Sequence, residues 1–191
     1  GGFEGKKSPI DAIRDAADMG LDGVELTYGD CLKADITAQE CASIAEEARR
    51  LKIGLRTLAT GYYWGCSLSS PHAVEREKAV AFTLRYLEVA EALGAETVLV
   101  VPGAVDVAWD PMRPVVPYRA AWEHATDSLK RCLPTAEKLG INIALENVWN
   151  KFLLGPIEFS QFIDQFNSAR LGSYFDIGNV VISGYPEHWI E

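Results

Sequence analysis

The sequence predicts an α/β protein, a (β/α)8 TIM barrel, present here as an incomplete barrel of about strands two to six with their helices. It reads as one domain over residues 1–191, truncated at both ends. Three observations predict this. An amphipathic helix, a glycine and a short apolar strand recur five times along the chain. The strand runs are apolar on both faces, as parallel strands covered by helices require. Polar and acidic residues gather where the strands end, which is where a barrel keeps its chemistry.

The repeat appears as Met19-Gly20-Leu21-Asp22-Gly23-Val24-Glu25-Leu26 and again as Leu51-Lys52-Ile53-Gly54-Leu55-Arg56-Thr57-Leu58. It returns at Leu93-Gly94-Ala95-Glu96-Thr97-Val98-Leu99-Val100-Val101, at Leu139-Gly140-Ile141-Asn142-Ile143-Ala144-Leu145 and at Leu171-Gly172-Ser173-Tyr174-Phe175. Each glycine suits the left-handed position past a helix end. Helix starts are marked as well. Ser8-Pro9, Ser70-Pro71 and Gly155-Pro156 place proline at a first helical position behind a capping residue, and Thr37-Ala38-Gln39-Glu40 reads as a capping box. The helix after Thr37 presents Ile44, Ala48 and Leu51 on one face, and the next presents Val80, Leu84, Leu87 and Ala90. A fourth presents Trp122, Ala125, Leu129, Cys132, Ala136 and Leu139, with a kink expected at Pro134. Strands are expected to start near 23, 53, 97, 141 and 171, a step of about 37 residues. Eight such steps give about 300 residues, a normal barrel length. Neither Gly-x-Gly-x-x-Gly nor Gly-x-x-x-x-Gly-Lys occurs, so nothing supports a nucleotide-binding doubly wound sheet.

Composition narrows the function. The chain is 48% hydrophobic and 24% charged, ordinary for a globular domain. A net charge of −9 argues against a nucleic-acid partner, which would need a field of Lys and Arg to replace counterions. No apolar run reaches the roughly 18–20 residues of a membrane span. No signal peptide opens the chain, and Gly1-Gly2-Phe3-Glu4-Gly5 reads as a loop. Cys31, Cys41, Cys66 and Cys132 form no Cys-x-x-Cys pair and read as reduced thiols, so a cytoplasmic location is expected.

The strand ends carry the candidates. Glu25, Thr27 and Tyr28 fall at the first, and Thr60, Gly61, Tyr62, Tyr63 and Trp64 at the second. Pro102 and Gly103 follow the third. Glu146, Asn147, Trp149 and Asn150 follow the fourth, and Asp176 and Asn179 the fifth. Two carboxylates directly after apolar strands, Ala144-Leu145-Glu146 and Tyr174-Phe175-Asp176, stand out. A carboxylate beside a core is costly unless paired or bound to a metal. Adjacent parallel strands lie about 4.8 Å apart, so both acids can reach one ion. Hard oxygen ligands suit Mn²⁺, Mg²⁺ or Co²⁺, and Zn²⁺ where imidazole joins. The competing reading pairs each acid with a Lys or Arg, or has it cap the following helix.

At Ala144-Leu145-Glu146-Asn147-Val148-Trp149-Asn150 and Tyr174-Phe175-Asp176-Ile177-Gly178-Asn179 the chain resembles the xylose isomerase-like TIM-barrel superfamily. The resemblance is to its sugar-phosphate isomerase/epimerase branch, which includes D-tagatose 3-epimerase and L-ribulose-5-phosphate 3-epimerase. It spans nearly the whole chain and implies a single divalent metal, with Mn²⁺ foremost. It implies that Glu146 and Asp176 are ligands and that Glu146 is also the catalytic base. A His and a second Glu of the family have no counterpart before Glu191 and are expected in later strands. Some members place a substrate-binding His three residues after the Asp; here that residue is Asn179. Proton removal next to a ketose carbonyl would give a cis-enediolate. Reprotonation then decides between epimerisation and aldose–ketose isomerisation.

The substrate-binding candidates are Glu25, Tyr62, Trp64, Asn147, Trp149 and Asn179. For Tyr62, Trp64 and Trp149, stacking on a sugar competes with packing beneath loops. For Glu25, a hydrogen bond to a sugar hydroxyl competes with pairing to Arg56. His72, His124 and His188 read as surface or structural residues. The expected partner is a small sugar or sugar phosphate, with no membrane and a possible homo-oligomer. An unclosed sheet would expose strand edges, so the 191 residues alone are expected to be inactive. Two rivals stand beside this reading: an endonuclease IV-like metal phosphodiesterase on the same barrel, and a non-catalytic sugar-binding barrel.

Overall fold

The structure is a computed structural model and describes residues 7–191; the Gly1–Gly5 segment expected as a loop lies outside the described residues. Ser8 opens the first helix, α1 (Pro9–Asp18), its side chain accepting the Asp11 amide while Pro9 fixes the first turn. The chain continues through β1 (Leu26–Thr27), α2 (Ala38–Leu51), β2 (Thr57–Ala59), α3 (Tyr62–Gly65), α4 (Ala73–Leu93) and β3 (Thr97–Val100). Then come α5 (Tyr118–Leu139), β4 (Asn142–Glu146), α6 (Pro156–Asp164), β5 (Leu171–Tyr174), α7 (Ile177–Val180) and a 3-10 turn, Pro186–Trp189. The capping box at α2 forms, with Thr37 and Glu40 each satisfying the other's free amide.

Some local expectations change. Gly20, Gly94 and Gly140 take the left-handed conformation after their helices, but after α2 that position is Lys52 (φ 60), and before β5 it is Asn167 (φ 48). Gly54 bridges Gly23, and it is Gly23 that the close approach requires: an added Cβ there would meet the Gly54 carbonyl at 2.9 Å. Gly172 lies inside β5. Ser70-Pro71 does not start α4, which begins at Ala73; Ser70 Oγ instead accepts the His72 amide and bonds Glu75. The helix for which a kink is expected at Pro134 runs as one element from Tyr118 to Leu139, with Pro134 inside it. α3 was not expected at all, since four residues of mixed aromatics carry no helical periodicity.

The five strands form one parallel sheet in the order β1-β2-β3-β4-β5. Alternation sorts their side chains. Leu26, Leu58, Val98, Ile143 and Leu171 share one register row, are nearly inaccessible and face the helices. There they meet α2, α4 and α5 through Ile44, Ala48, Val80, Leu87, Ala90, Ala125, Leu129 and Ala136. Burial of each large side chain is worth about 1.5–3 kcal/mol, so this layer holds the helices to the sheet. The opposite face carries Thr27, Thr57, Thr97, Ala144, Glu146 and Tyr174, with Glu25 just before β1.

One contact shows that the sheet curls into a barrel wall. The Tyr174 hydroxyl donates to Glu25 Oε2 at 2.7 Å, joining the two outermost strands. Across a flat sheet those strands would be about 19 Å apart. The register row running from Leu26 to Leu171 makes residue 170 the ladder partner of Glu25, yet Glu25 touches Tyr174, four residues further up.

Candidate active site

The loops at the C-terminal strand ends are tied into a continuous polar belt. Ser69 Oγ donates to the Ala104 carbonyl at 3.0 Å and accepts the Ala104 amide at 2.8 Å, joining the segment after α3 to the loop after β3. Asn150 joins that loop to the one after β4. Its Nδ2 donates to the Gly103 carbonyl, and its own carbonyl accepts the Val105 and Asp106 amides at 2.9 and 3.1 Å. Asn147 joins the loop after β4 to β5: its Nδ2 donates to the Asp176 carbonyl at 2.9 Å and its Oδ1 accepts the Asp176 amide at 2.7 Å. Asn179 Nδ2 donates back to the Asn147 carbonyl at 2.8 Å, and Trp149 Nε1 donates to the Asn179 carbonyl at 2.9 Å. Buried amides that complete all these bonds hold the mouth of the wall rigid.

Within this frame Glu146 ends β4 and Asp176 follows the end of β5. Glu146 is paired in register with Tyr174 and so faces the lumen. It is partly buried, and among the described residues neither it nor Asp176 forms an ion pair with Lys or Arg. Burial above all, then the charges of Asp176 and Glu25, pushes the Glu146 carboxyl up to about 7. Asp176 has a second duty: its Oδ1 accepts the Asn179 amide at 3.2 Å and caps the short α7. The helix-capping alternative posed by the sequence is therefore met at Asp176.

The remaining candidates divide. Glu25 hydrogen-bonds Tyr174, and Arg56 pairs with Glu96 at 3.6 Å, so the Glu25–Arg56 pair does not form. Arg56 precedes β2, where alternation turns it from Glu25 toward the surface. Tyr62 lies flat on Phe82 with ring centroids 3.7 Å apart, and Trp64 packs edge-on against Trp109. For Tyr62 the packing alternative therefore accounts for its ring. Trp149 is 55% exposed at the mouth, and its pyrrole N–H anchors it. Asn147 is buried, and both Asn147 and Asn179 spend their amides on the belt. His124 Nδ1 lies 3.4 Å from the Ser69 carbonyl, and His72 and His188 sit at element ends, in keeping with structural roles. Ser69, Asn150 and Tyr174 carry weight that sequence reasoning did not assign; a serine, an amide or a tyrosine near a strand end gives no signal without its distant partner.

The donor set bears on a metal. Two carboxylates on neighbouring strands, one of them strained by its like-charged neighbours, suit a hard divalent cation, which would relieve that repulsion. They supply part of a coordination shell; no group of three or more His, Cys, Asp or Glu able to hold a metal gathers among the described residues.

A parallel barrel wall with acids at its C-terminal rim defines a class, and comparison agrees: residues 13–191 match the profile of the xylose isomerase-like TIM barrel, and the chain belongs to that family. Solved structures share the fold. D-psicose 3-epimerase determined with D-fructose aligns at 22% identity and TM-score 0.82, over 94% of this chain and 62% of the enzyme. D-psicose 3-epimerase from Clostridium cellulolyticum H10 with D-tagatose aligns at 20% and 0.76, over 90% and 58%, and an L-ribulose 3-epimerase at 19% and 0.76, over 92% and 57%. The chain thus spans about three fifths of these proteins. No curated protein sequence matches it. Among the described residues no helix is long and apolar enough to cross a membrane.

Proposed function

We propose that this chain forms the metal-binding and base-bearing side of a sugar or sugar-phosphate isomerase or epimerase. The observation that carries the reading is Glu146: a partly buried carboxyl at the lumen face, raised to about 7 beside Asp176, with no basic partner among the described residues. A general base works best with its affinity for protons near the operating pH. Glu146 and Asp176 would hold a divalent cation, Mn²⁺ foremost, with Mg²⁺, Co²⁺ or Zn²⁺ as alternatives. When bound, such a cation polarises a carbonyl oxygen and so acidifies the neighbouring C–H.

The chain's own residues supply the rest. Glu146 takes the proton from the carbon beside the carbonyl, leaving a cis-enediolate. The belt through Asn147, Asn179 and Asn150 fixes the Glu146 and Asp176 backbones so that little reorganisation is needed. Exposed Trp149, at the same mouth, is placed to cover the apolar face of a sugar ring. Ketoses are the favoured substrates because the relatives that share this fold are ketose 3-epimerases crystallised with D-fructose and D-tagatose.

The test is deuterium exchange in the full-length protein with Mn²⁺ in D₂O, using D-fructose and D-tagatose. Exchange at the carbon beside the carbonyl is expected, with Glu146→Gln losing at least about 10²-fold of it. Exchange undiminished in Glu146→Gln would remove the base from the scheme. Metal analysis of the purified protein separates this reading from a metal-free sugar binder.

A further inference from the structure

The curl of the wall joins two side chains 149 positions apart. Tyr174 closes β5, Glu25 precedes β1, and the hydroxyl of one donates to Oε2 of the other at 2.7 Å. Both point into the lumen. Tyr174 is the register neighbour of Glu146, and Asp176 follows two residues later on the same strand. The Glu25–Tyr174 rung therefore crosses the lumen from the ladder level of Glu146, two residues short of Asp176. With Arg56 turned to Glu96, no described cation neutralises Glu25. A carboxylate accepts through both oxygens, and Tyr174 takes up one of them, leaving Oε1 for another donor. A polyol chain entering from the mouth presents such donors.

We propose that Tyr174 is a positioning residue. Its hydroxyl holds Glu25 across the lumen so that Oε1 receives a hydroxyl of the ketose chain, and the rung is the floor that sets how deep the sugar enters. This rests on the proposed function, with the carbonyl end of the sugar at Glu146 and Asp176. The floor adds a recognition element remote from the reacting carbon, so it acts on binding and on depth. Such an element raises KM when lost and leaves the chemical step little changed.

The experiment measures initial rates of the full-length protein with Mn²⁺ on D-fructose and D-tagatose, beside thermal unfolding. Tyr174→Phe is expected to raise KM about tenfold, in line with loss of a hydrogen bond to a charged group, with kcat within about threefold. Glu25→Gln is expected to raise KM as much, and the double variant should have a KM no higher than Glu25→Gln alone, because Tyr174 acts through Glu25; the kcat criterion applies to Tyr174→Phe, since the Glu25 charge also acts on Glu146. An unchanged KM in Tyr174→Phe, or additive effects in the double variant, would overturn the floor alone. So would a lowered Tm with KM unmoved, the mark of a purely structural bond. If the unsubstituted protein turns over neither ketose and calorimetry shows neither bound, the proposed function falls and the floor with it. Should Tyr174→Phe fail to fold, Glu25→Asp draws the carboxylate back from the tyrosine. It is expected to raise KM similarly, and an unmoved KM there overturns the proposal.

Discussion

Replacing Glu146 by glutamine should stabilise the metal-free protein at high pH and do nothing at low pH. The folded state raises the Glu146 carboxyl from 4.5 to about 7, chiefly by burial and then by Asp176 and Glu25. Its neutral form is the one the fold prefers. Below about pH 4.5 the residue is neutral whether folded or not and costs nothing. As pH rises through that value the unfolded chain ionises first, and the cost to the native state grows until about pH 7, where the folded carboxyl ionises as well. A shift of this size corresponds to about 3 kcal/mol. Glu146 keeps partial contact with solvent, and screening lowers the expected value to about 1–2 kcal/mol. For a chain of this length that is a rise in Tm of about 2–8 °C. The assay is thermal unfolding of Glu146→Gln and the unsubstituted protein in EDTA at pH 4.5 and pH 8. Glutamine matches the shape and cannot ionise, so the difference should appear only at pH 8. Added Mn²⁺ should reverse the order, because only the unsubstituted protein gains binding free energy in its folded state. An equal change at both pH values, or a loss at pH 8 without metal, would show that Glu146 is not a strained carboxylate and would undo the electrostatic argument for the site.

Three further outcomes are expected. Asn147→Ala removes the side chain that both donates to and accepts from Asp176, leaving buried groups without partners; a loss of about 1–3 kcal/mol in urea unfolding is expected, with weaker Mn²⁺ binding. At Glu75 burial opposes ionisation, but the Ser67 amide, the Ser70 hydroxyl and Arg113 outweigh it and hold the carboxyl below its usual range. Its stabilisation is present above the unfolded carboxyl's range and fades as pH falls through the folded one, so Glu75→Gln should destabilise at pH 7 and much less near pH 3; equal loss at both would count against the ion pair. Thr37→Ala opens the capping box of α2 and should cost about 1 kcal/mol by thermal unfolding, with no change in metal binding.

How far the sequence could be read depended on the range of the interaction. The α2 capping box, the glycines after α1, α4 and α5 and the short apolar runs of β3 and β4 report on hydrogen bonds and burial within a few residues. They were legible for that reason, and so were Glu146 and Asp176, since an acid directly after an apolar strand is a local anomaly. Lys52 in the left-handed position and α3 with its aromatic residues escaped because propensity is weak and tertiary packing overrides it.

Sequence alone determined that helices and parallel strands alternate and that two acids stand at neighbouring strand ends; which strand face meets the helices came from the register and burial of the folded sheet. Only the tertiary structure decided that Glu25 would turn from Arg56 to Tyr174, that Asn147 and Asn150 would lace three loops together, and that Glu75 would meet Arg113. The reason is geometric: these partners lie dozens of residues apart, and which of them meet depends on strand stagger and sheet curl, which are properties of the whole wall and of no single segment.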